Sequence, residues 1–176
     1  MIGRTRRRAA ETATFMAVLA IGCGAGEAAD AEIGGAVADR DPVPATTFAT
    51  LEGGTASLPE MEGRVLVVNF WGTWCVPCRR EIPELVELHA AYADQDVEII
   101  GIAVESGDAE EIRTFLARYG AEYHIWTTDM ATALADFQAV GYPFTILVDR
   151  DGGIASTYYG PQTLELLSAE VDALLN

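Results

Sequence analysis

Two stretches constrain the fold of this 176-residue chain more than any other feature. Arg64 to Trp71 (RVLVVNFW) and Val97 to Val104 (VEIIGIAV) are near-continuous runs of β-branched, aliphatic and aromatic residues. A strand with one wet face alternates apolar and polar positions. A run that does not alternate is buried on both faces, as parallel strands between two helical layers are. Between the runs, Ile82, Leu85, Val86, His89 and Tyr92 recur at helical spacing within Arg79 to Asp94, so a helix connects the two strands.

The remaining segments extend this unit. Phe48 to Leu51 and Thr55 to Leu58 flank Glu52-Gly53-Gly54 and predict an N-terminal hairpin. Glu110 to Tyr119 predicts a second helix, His124 to Thr127 a short strand and Met130 to Phe137 a weak helix. Thr145 to Val148 and Ile154 to Tyr159 flank the turn Asp149 to Gly153 as a second hairpin, and Leu164, Leu167, Val171 and Leu174 mark a last helix. The order β-α-β-α followed by β-β-α gives an α/β fold, its central sheet parallel in the first half and antiparallel in the second, with helices on both faces.

About 130 residues are left for folding after the first 45, one domain's worth. Half of the chain is apolar and 9% aromatic, enough for a real core, which excludes collagen-like, coiled-coil and repeat architectures. All 11 basic residues are Arg, against 27 acids, for a net charge of −16. From Cys23 onward seven Arg face 26 acids, a net −19, which argues against nucleic acid as a partner. An acid-biased proteome with GC-rich codons accounts for the same balance, so charge alone names no partner.

Residues 1–22 have the order of a secretory signal: a cationic Arg4 to Arg8 stretch, then Ala13 to Ile21, an apolar run too short to span a bilayer. Leu19-Ala20-Ile21-Gly22-Cys23 resembles a bacterial lipoprotein box, with Leu one position earlier than the box prefers; the alternative is an ordinary cleavable signal with an incidental Cys23. Residues 23–45 are rich in Ala, Gly, Asp and Glu and end in Pro42 and Pro44, a composition that reads as a flexible tether before a domain at 46–176. The expected localisation is exported, periplasmic or cell-envelope, with lipid at Cys23 as the membrane contact, or none.

Trp74-Cys75-Val76-Pro77-Cys78 directly follows the first buried strand and opens the first long helix. A thiol at a helix start meets the positive end of the dipole, which favours the nucleophilic thiolate, and a second thiol three residues on is close enough for a disulfide. Cys75 is then the expected nucleophile and the more exposed thiol, and Cys78 the resolving one. Arg79 and Arg80 favour thiolate; Glu81 and Glu84 oppose it. Half of a zinc site is the competing reading, but only His89 and His124 are at hand as further histidine ligands. His89 reads as a helix-boundary residue.

The segment VVNFWGTWCVPC resembles the thioredoxin superfamily and, within it, the exported TlpA/ResA-like thiol-disulfide oxidoreductases, over about Phe48 to Leu175. Pro83 inside the first helix and Gly141-Tyr142-Pro143-Phe144 before a strand agree, the latter matching the family's cis-proline loop opposite the cysteines. The resemblance implies a thioredoxin-like three-layer sandwich with a central mixed sheet and an extra N-terminal β-hairpin. It implies substrate contact through Trp74, Pro77, Tyr142 and Pro143, with Tyr142 pairing its backbone to a bound chain. Thioredoxins carry a buried Asp where this chain has Asn69. Glu105, ending the run IAVES, lies near where ResA-like proteins have a functional acid, and the resemblance implies it as the proton acceptor beside Cys78, its pKa raised by burial; the alternative is a strand-end or helix-capping Glu.

Val-Pro between the cysteines lacks the His of strongly oxidising relatives, so the implied activity is reduction of protein disulfides. The implied setting is cytochrome c maturation or metal-centre assembly, with Cys-containing exported partners such as apocytochrome c and a membrane thiol donor. No metal is expected, and no cofactor beyond the Cys75–Cys78 disulfide. Two other readings compete: a thiol peroxidase, which needs Thr or Ser where Gly72 stands, and a non-catalytic partner-binding module whose disulfide is only structural.

Overall fold

The structure, a computed structural model, describes residues 40–176. Its sheet has seven strands: β1 (Thr47–Thr50), β2 (Thr55–Ser57), β3 (Val65–Trp71), β4 (Val97–Val104), β5 (His124–Thr128), β6 (Phe144–Val148) and β7 (Ile154–Tyr159). They lie in the order β2-β1-β5-β4-β3-β6-β7. The central β3, β4 and β5 run parallel, whereas β6 and β7 on one side and β1 and β2 on the other are antiparallel to their neighbours. All seven residues of β3 are buried, as its unbroken apolar run requires.

Side-chain alternation divides the core in two. Val65, Val67 and Trp71 of β3 face a cluster that includes α1 (Cys78–Ala91), α2 (Ala109–Leu116) and α4 (Leu164–Leu175). Leu66, Val68 and Phe70 face the other cluster, closed by α3 (Met130–Phe137) and Leu58 of a 3₁₀ turn. The result is the α/β/α sandwich of a thioredoxin-like fold with an N-terminal hairpin. Ile82, Leu85 and Leu88 of α1 are fully buried, each worth roughly 1.5–3 kcal/mol of burial, which fixes the helix and its N-terminal cysteines on the sheet.

Several boundaries differ from the sequence expectation by a few residues, and three have a plain physical cause. Helix α1 starts at Cys78 with Pro77 as its N-cap, so Cys75 stands before the helix and Cys78 is its first residue. Helix α2 ends at Leu116 because Arg118 and Tyr119 bond back to Phe115 and Leu116 in tighter turns. Packing also begins upstream of residue 46. Val43 is buried and its N–H donates to Gly152, Asp41 accepts from Ile154, and Arg40 pairs with Asp149 at 2.5 Å. Residues 40–43, near the end of the expected tether, therefore lie against the β6–β7 turn. The expected signal, Cys23 and the rest of the tether lie outside the described residues.

Candidate functional site

Strand β3 delivers the site. It ends at Trp71, and Gly72-Thr73-Trp74 turns the chain from the sheet edge into the cysteine pair. Cys75 and Cys78 are joined by a disulfide, with Cα atoms 5.4 Å apart. The N–H of Cys78, the first of helix α1, donates to Cys75 Sγ at 3.2 Å. An unpaired helix N–H aimed at sulfur favours the anion when the pair is reduced, so the geometry lowers the cost of a thiolate at Cys75. Cys75 is 4% and Cys78 1% exposed. Both are buried, so in this oxidised state Cys75 is not the exposed thiol that the sequence leads one to expect.

Gly72 admits a feature that no larger residue would. A Cβ there would lie 2.6 Å from Trp74 Cε2 and 2.7 Å from its Nε1. The indole folds back over the glycine and donates to the Val104 carbonyl at 3.2 Å, while remaining 47% exposed. A Thr or Ser at this position, as a thiol peroxidase of the expected pattern would need, collides with that indole. The edge of Trp74 meets Tyr142, ring centroids 5.4 Å apart, and this contact brings the Tyr142–Pro143 loop against the cysteine loop. The Tyr142–Pro143 bond is cis. Neither the N–H nor the carbonyl of Tyr142 bonds another backbone group among the described residues, whereas the Pro143 carbonyl is taken by Gly160. Trp74 and Pro77 thus adjoin the two cysteines in the chain, and Tyr142 packs against the cluster that contains both; Val76, between the cysteines, is exposed. Arg79 turns away, donating to the Thr73 carbonyl at 2.9 Å and lying over Phe115.

The acid expected beside Cys78 is not where IAVES placed it. Glu105 is exposed, sits in the left-handed region at φ 42°, and its carboxylate faces the N–H of Met130 at the start of α3. Its charge reaches Tyr142, whose phenol is pushed up by burial and secondarily by Glu105. Glu105 is therefore a rim residue, without the burial its expected role calls for. Burial belongs instead to Glu81, one turn beyond Cys78 on the inward face of α1 and 1% exposed. Its Oε2 accepts from Asn69 Nδ2 at 2.8 Å and its Oε1 from the Gln162 N–H at 2.9 Å. Burial outweighs these bonds and pushes the carboxyl up to about 7. Sequence reasoning treated Glu81 only as a charge opposing thiolate. The available signal was its spacing: positions 78, 81, 82 and 85 form one stripe, and Asn69 has the residue type to meet an acid from it.

His89 lies near Tyr123, ring centroids 6.3 Å apart, and His124 beside Glu98, so neither completes a ligand set with the cysteines. Among the described residues no three His, Cys, Asp or Glu side chains converge as metal ligands.

A thioredoxin-like sandwich with a Cys-x-x-Cys disulfide at the N-terminus of its first long helix and a cis-proline loop against it defines a dithiol exchange protein. The sequence pattern of the AhpC/TSA family matches residues 40–168. The chain is 34% identical to the thiol-disulfide oxidoreductase ResA of Bacillus thuringiensis over 118 residues, 66% of this chain and 67% of that one. A thioredoxin-family thiol:disulfide interchange protein from Chlorobium tepidum superposes with a TM-score of 0.69 at 25% identity, covering 79% of this chain and 99% of that structure. A DsbF homologue from Corynebacterium diphtheriae gives 0.69 at 27%, covering 77% and 88%. The chain belongs to the AhpC/TSA family and, within the thioredoxin superfamily, is a TlpA/ResA-like thiol-disulfide oxidoreductase.

Proposed function

We propose that the protein reduces disulfides of other exported proteins through Cys75 and Cys78. The Cys75 thiolate attacks one sulfur of the partner's disulfide, the partner's second sulfur leaves as thiolate, and a Cys75–partner mixed disulfide forms. Cys78 then gives its proton to the Glu81 carboxylate and attacks Cys75 Sγ. The partner's remaining sulfur leaves as thiolate, and the Cys75–Cys78 disulfide seen here is the product. Two electrons pass to the partner, and a membrane thiol donor returns two to the disulfide. The observation that carries this reading is the asymmetry of the pair: a helix N–H addresses Cys75 Sγ, while Cys78 shares its helix face with a buried carboxyl poised near neutrality. Proton transfer is assigned to Glu81 rather than Glu105 on burial alone.

The reducing direction rests on Val76-Pro77 between the cysteines. By family likeness the partners are Cys-containing exported proteins such as apocytochrome c, in cytochrome c maturation or metal-centre assembly. Substrate chain runs along Tyr142 and Pro143, between Trp74 and Pro77. In this reading residues 1–22 direct export, Cys23 carries the lipid and a tether follows; among the described residues no helix is long and apolar enough to cross a membrane. Insulin reduction under a chemical reductant tests the activity: turnover by the wild type and none by Cys75→Ser is expected, and equal rates would leave a partner-binding module with a structural disulfide.

A further inference from the structure

Beneath helix α1, three buried polar atoms have no hydrogen-bond partner among the described residues: Asn69 Oδ1, Trp71 Nε1 and the Tyr123 hydroxyl. Their residues are 1%, 0% and 4% exposed. They share one face of three adjacent strands. Asn69 and Trp71 are alternate residues of β3, Gly101 of β4 is the in-register partner of Asn69, and Tyr123 immediately precedes β5. A Cβ on Gly101 would stand 3.0 Å from both Trp71 Nε1 and Tyr123 Cε2. The indole N–H and the phenol ring therefore converge over the glycine that flanks Asn69. Glu81 closes the spot from above through its bond to Asn69 Nδ2. The Tyr123 phenol is pushed up by burial and, secondarily, by the charge of Glu81, which places the two groups within electrostatic reach.

The three atoms have complementary chemistry. An indole N–H only donates, an amide oxygen only accepts and a phenol does both. One water matches them as a set, accepting from Trp71 and Tyr123 and donating to Asn69 Oδ1, with its second hydrogen directed at the Glu81 carboxyl. Buried waters hold two to four such bonds, and buried donors left without a partner are costly enough to be rare. We propose that Asn69, Trp71 and Tyr123 hold one internal water under α1, and that through it Tyr123 acts as a positioning residue for Glu81. The water fixes the Asn69 amide with Nδ2 toward the carboxylate, and a donor held on the charged form favours that form.

The groups that meet Glu81 are Asn69 from β3, Thr145 from β6, the Gln162 N–H before α4 and Tyr123 before β5. On α1 itself Cys78 shares its face, Glu84 is turned to the Leu164 N–H, and His89 lies near Tyr123, ring centroids 6.3 Å apart. Arg79 and Arg80 are exposed. Tyr123 is one of the neutral side chains through which Glu81 can be adjusted.

The inference rests on Glu81 as the proton acceptor, and Tyr123→Phe tests it with two readouts in the full chain. Removing a hydroxyl that binds a water lowers the thermal midpoint of the oxidised protein; removing one that has no partner raises it. Loss of the water also disfavours the charged Glu81, so the pH limb of disulfide exchange moves upward by ~0.5 unit or more. A midpoint at or above wild type overturns the water. A lowered midpoint with an unmoved limb overturns the positioning role. Glu81→Gln is the control for the underlying reading: if it keeps the limb, the proton acceptor is elsewhere, while the midpoint of Tyr123→Phe and electron density between the three atoms still decide whether the water is held.

Discussion

Replacing Glu81 by Gln removes one ionisable group from the core while keeping the side chain's size, and its effect can be worked from the structure. The carboxyl has an ordinary pKa of 4.5 when exposed in the unfolded chain and about 7 when folded. Below 4.5 both states hold the proton and the group costs nothing. Between 4.5 and 7 the unfolded chain releases it first, so the unfolded state is favoured and stability falls as pH rises. Above 7 both states are ionised and the full difference, 2.5 units at 1.36 kcal/mol per unit or about 3 kcal/mol, has been lost. Urea unfolding of the oxidised wild type and of Glu81→Gln, at steps from pH 4 to 8 (a range spanning both values by about half a unit or more), measures this. The two curves carry a constant offset from exchanging the side chain, which drops out of the comparison. The difference between them is expected to widen in favour of Gln by about 3 kcal/mol across the window. Parallel curves would mean that Glu81 ionises as in the unfolded chain, and would remove the physical basis for its role in exchange.

Exchange kinetics separate the two acids: Glu81→Gln is expected to slow resolution of the mixed disulfide by on the order of 10² or less, whereas Glu105→Gln leaves the rate near wild type because its carboxylate is on the rim. Stopped-flow measurement across pH decides between them, and a slowed Glu105→Gln with a normal Glu81→Gln would reverse the assignment. The redox potential of the pair, from a glutathione titration, is expected nearer the roughly −270 mV of thioredoxin than the roughly −120 mV of DsbA; a value above about −180 mV would reverse the direction of transfer. Cys23→Ser is expected to move the protein from the membrane to the soluble fraction of the exporting host, and unchanged fractionation with an unmodified Cys23 by mass spectrometry would leave a plain cleavable signal.

The parts of the fold that the sequence made legible are those in which burial leaves a repeating pattern. Strands β3 and β4 are apolar at nearly every position because both faces are covered, and the inward stripe of α1 repeats at helical spacing. Residues 40–43 were less readable. They attach through backbone hydrogen bonds at Asp41 and Val43, which any side chain can make and composition cannot show. The cysteine pair and the cis-proline loop were readable because their spacing is part of their chemistry. Glu81 was not, because a charged residue on a helix is ordinarily solvated. Only the arrival of Asn69 from β3 and the Gln162 N–H from before α4, 12 and 81 residues away along the chain, makes its burial tenable. Glu105 was misjudged for the converse reason: the apolar run before it continues to Val104, but the chain turns into a left-handed conformation at residue 105 and leaves the side chain at the surface.

The division of labour between the cysteines is tested most directly by trapping the mixed disulfide. Cys78→Ser keeps the attacking sulfur and removes the resolving one, so the reduced variant, mixed with a protein carrying an accessible disulfide, is expected to accumulate a reducible adduct linked through Cys75. Cys75→Ser is expected to accumulate little, because its remaining sulfur is 1% exposed and lies beneath the helix start. Quantification of both adducts by non-reducing electrophoresis and mass spectrometry gives the answer. A large excess with Cys78→Ser is the predicted result; equal adducts, or more with Cys75→Ser, would contradict the order of attack, and none with either would contradict disulfide exchange itself.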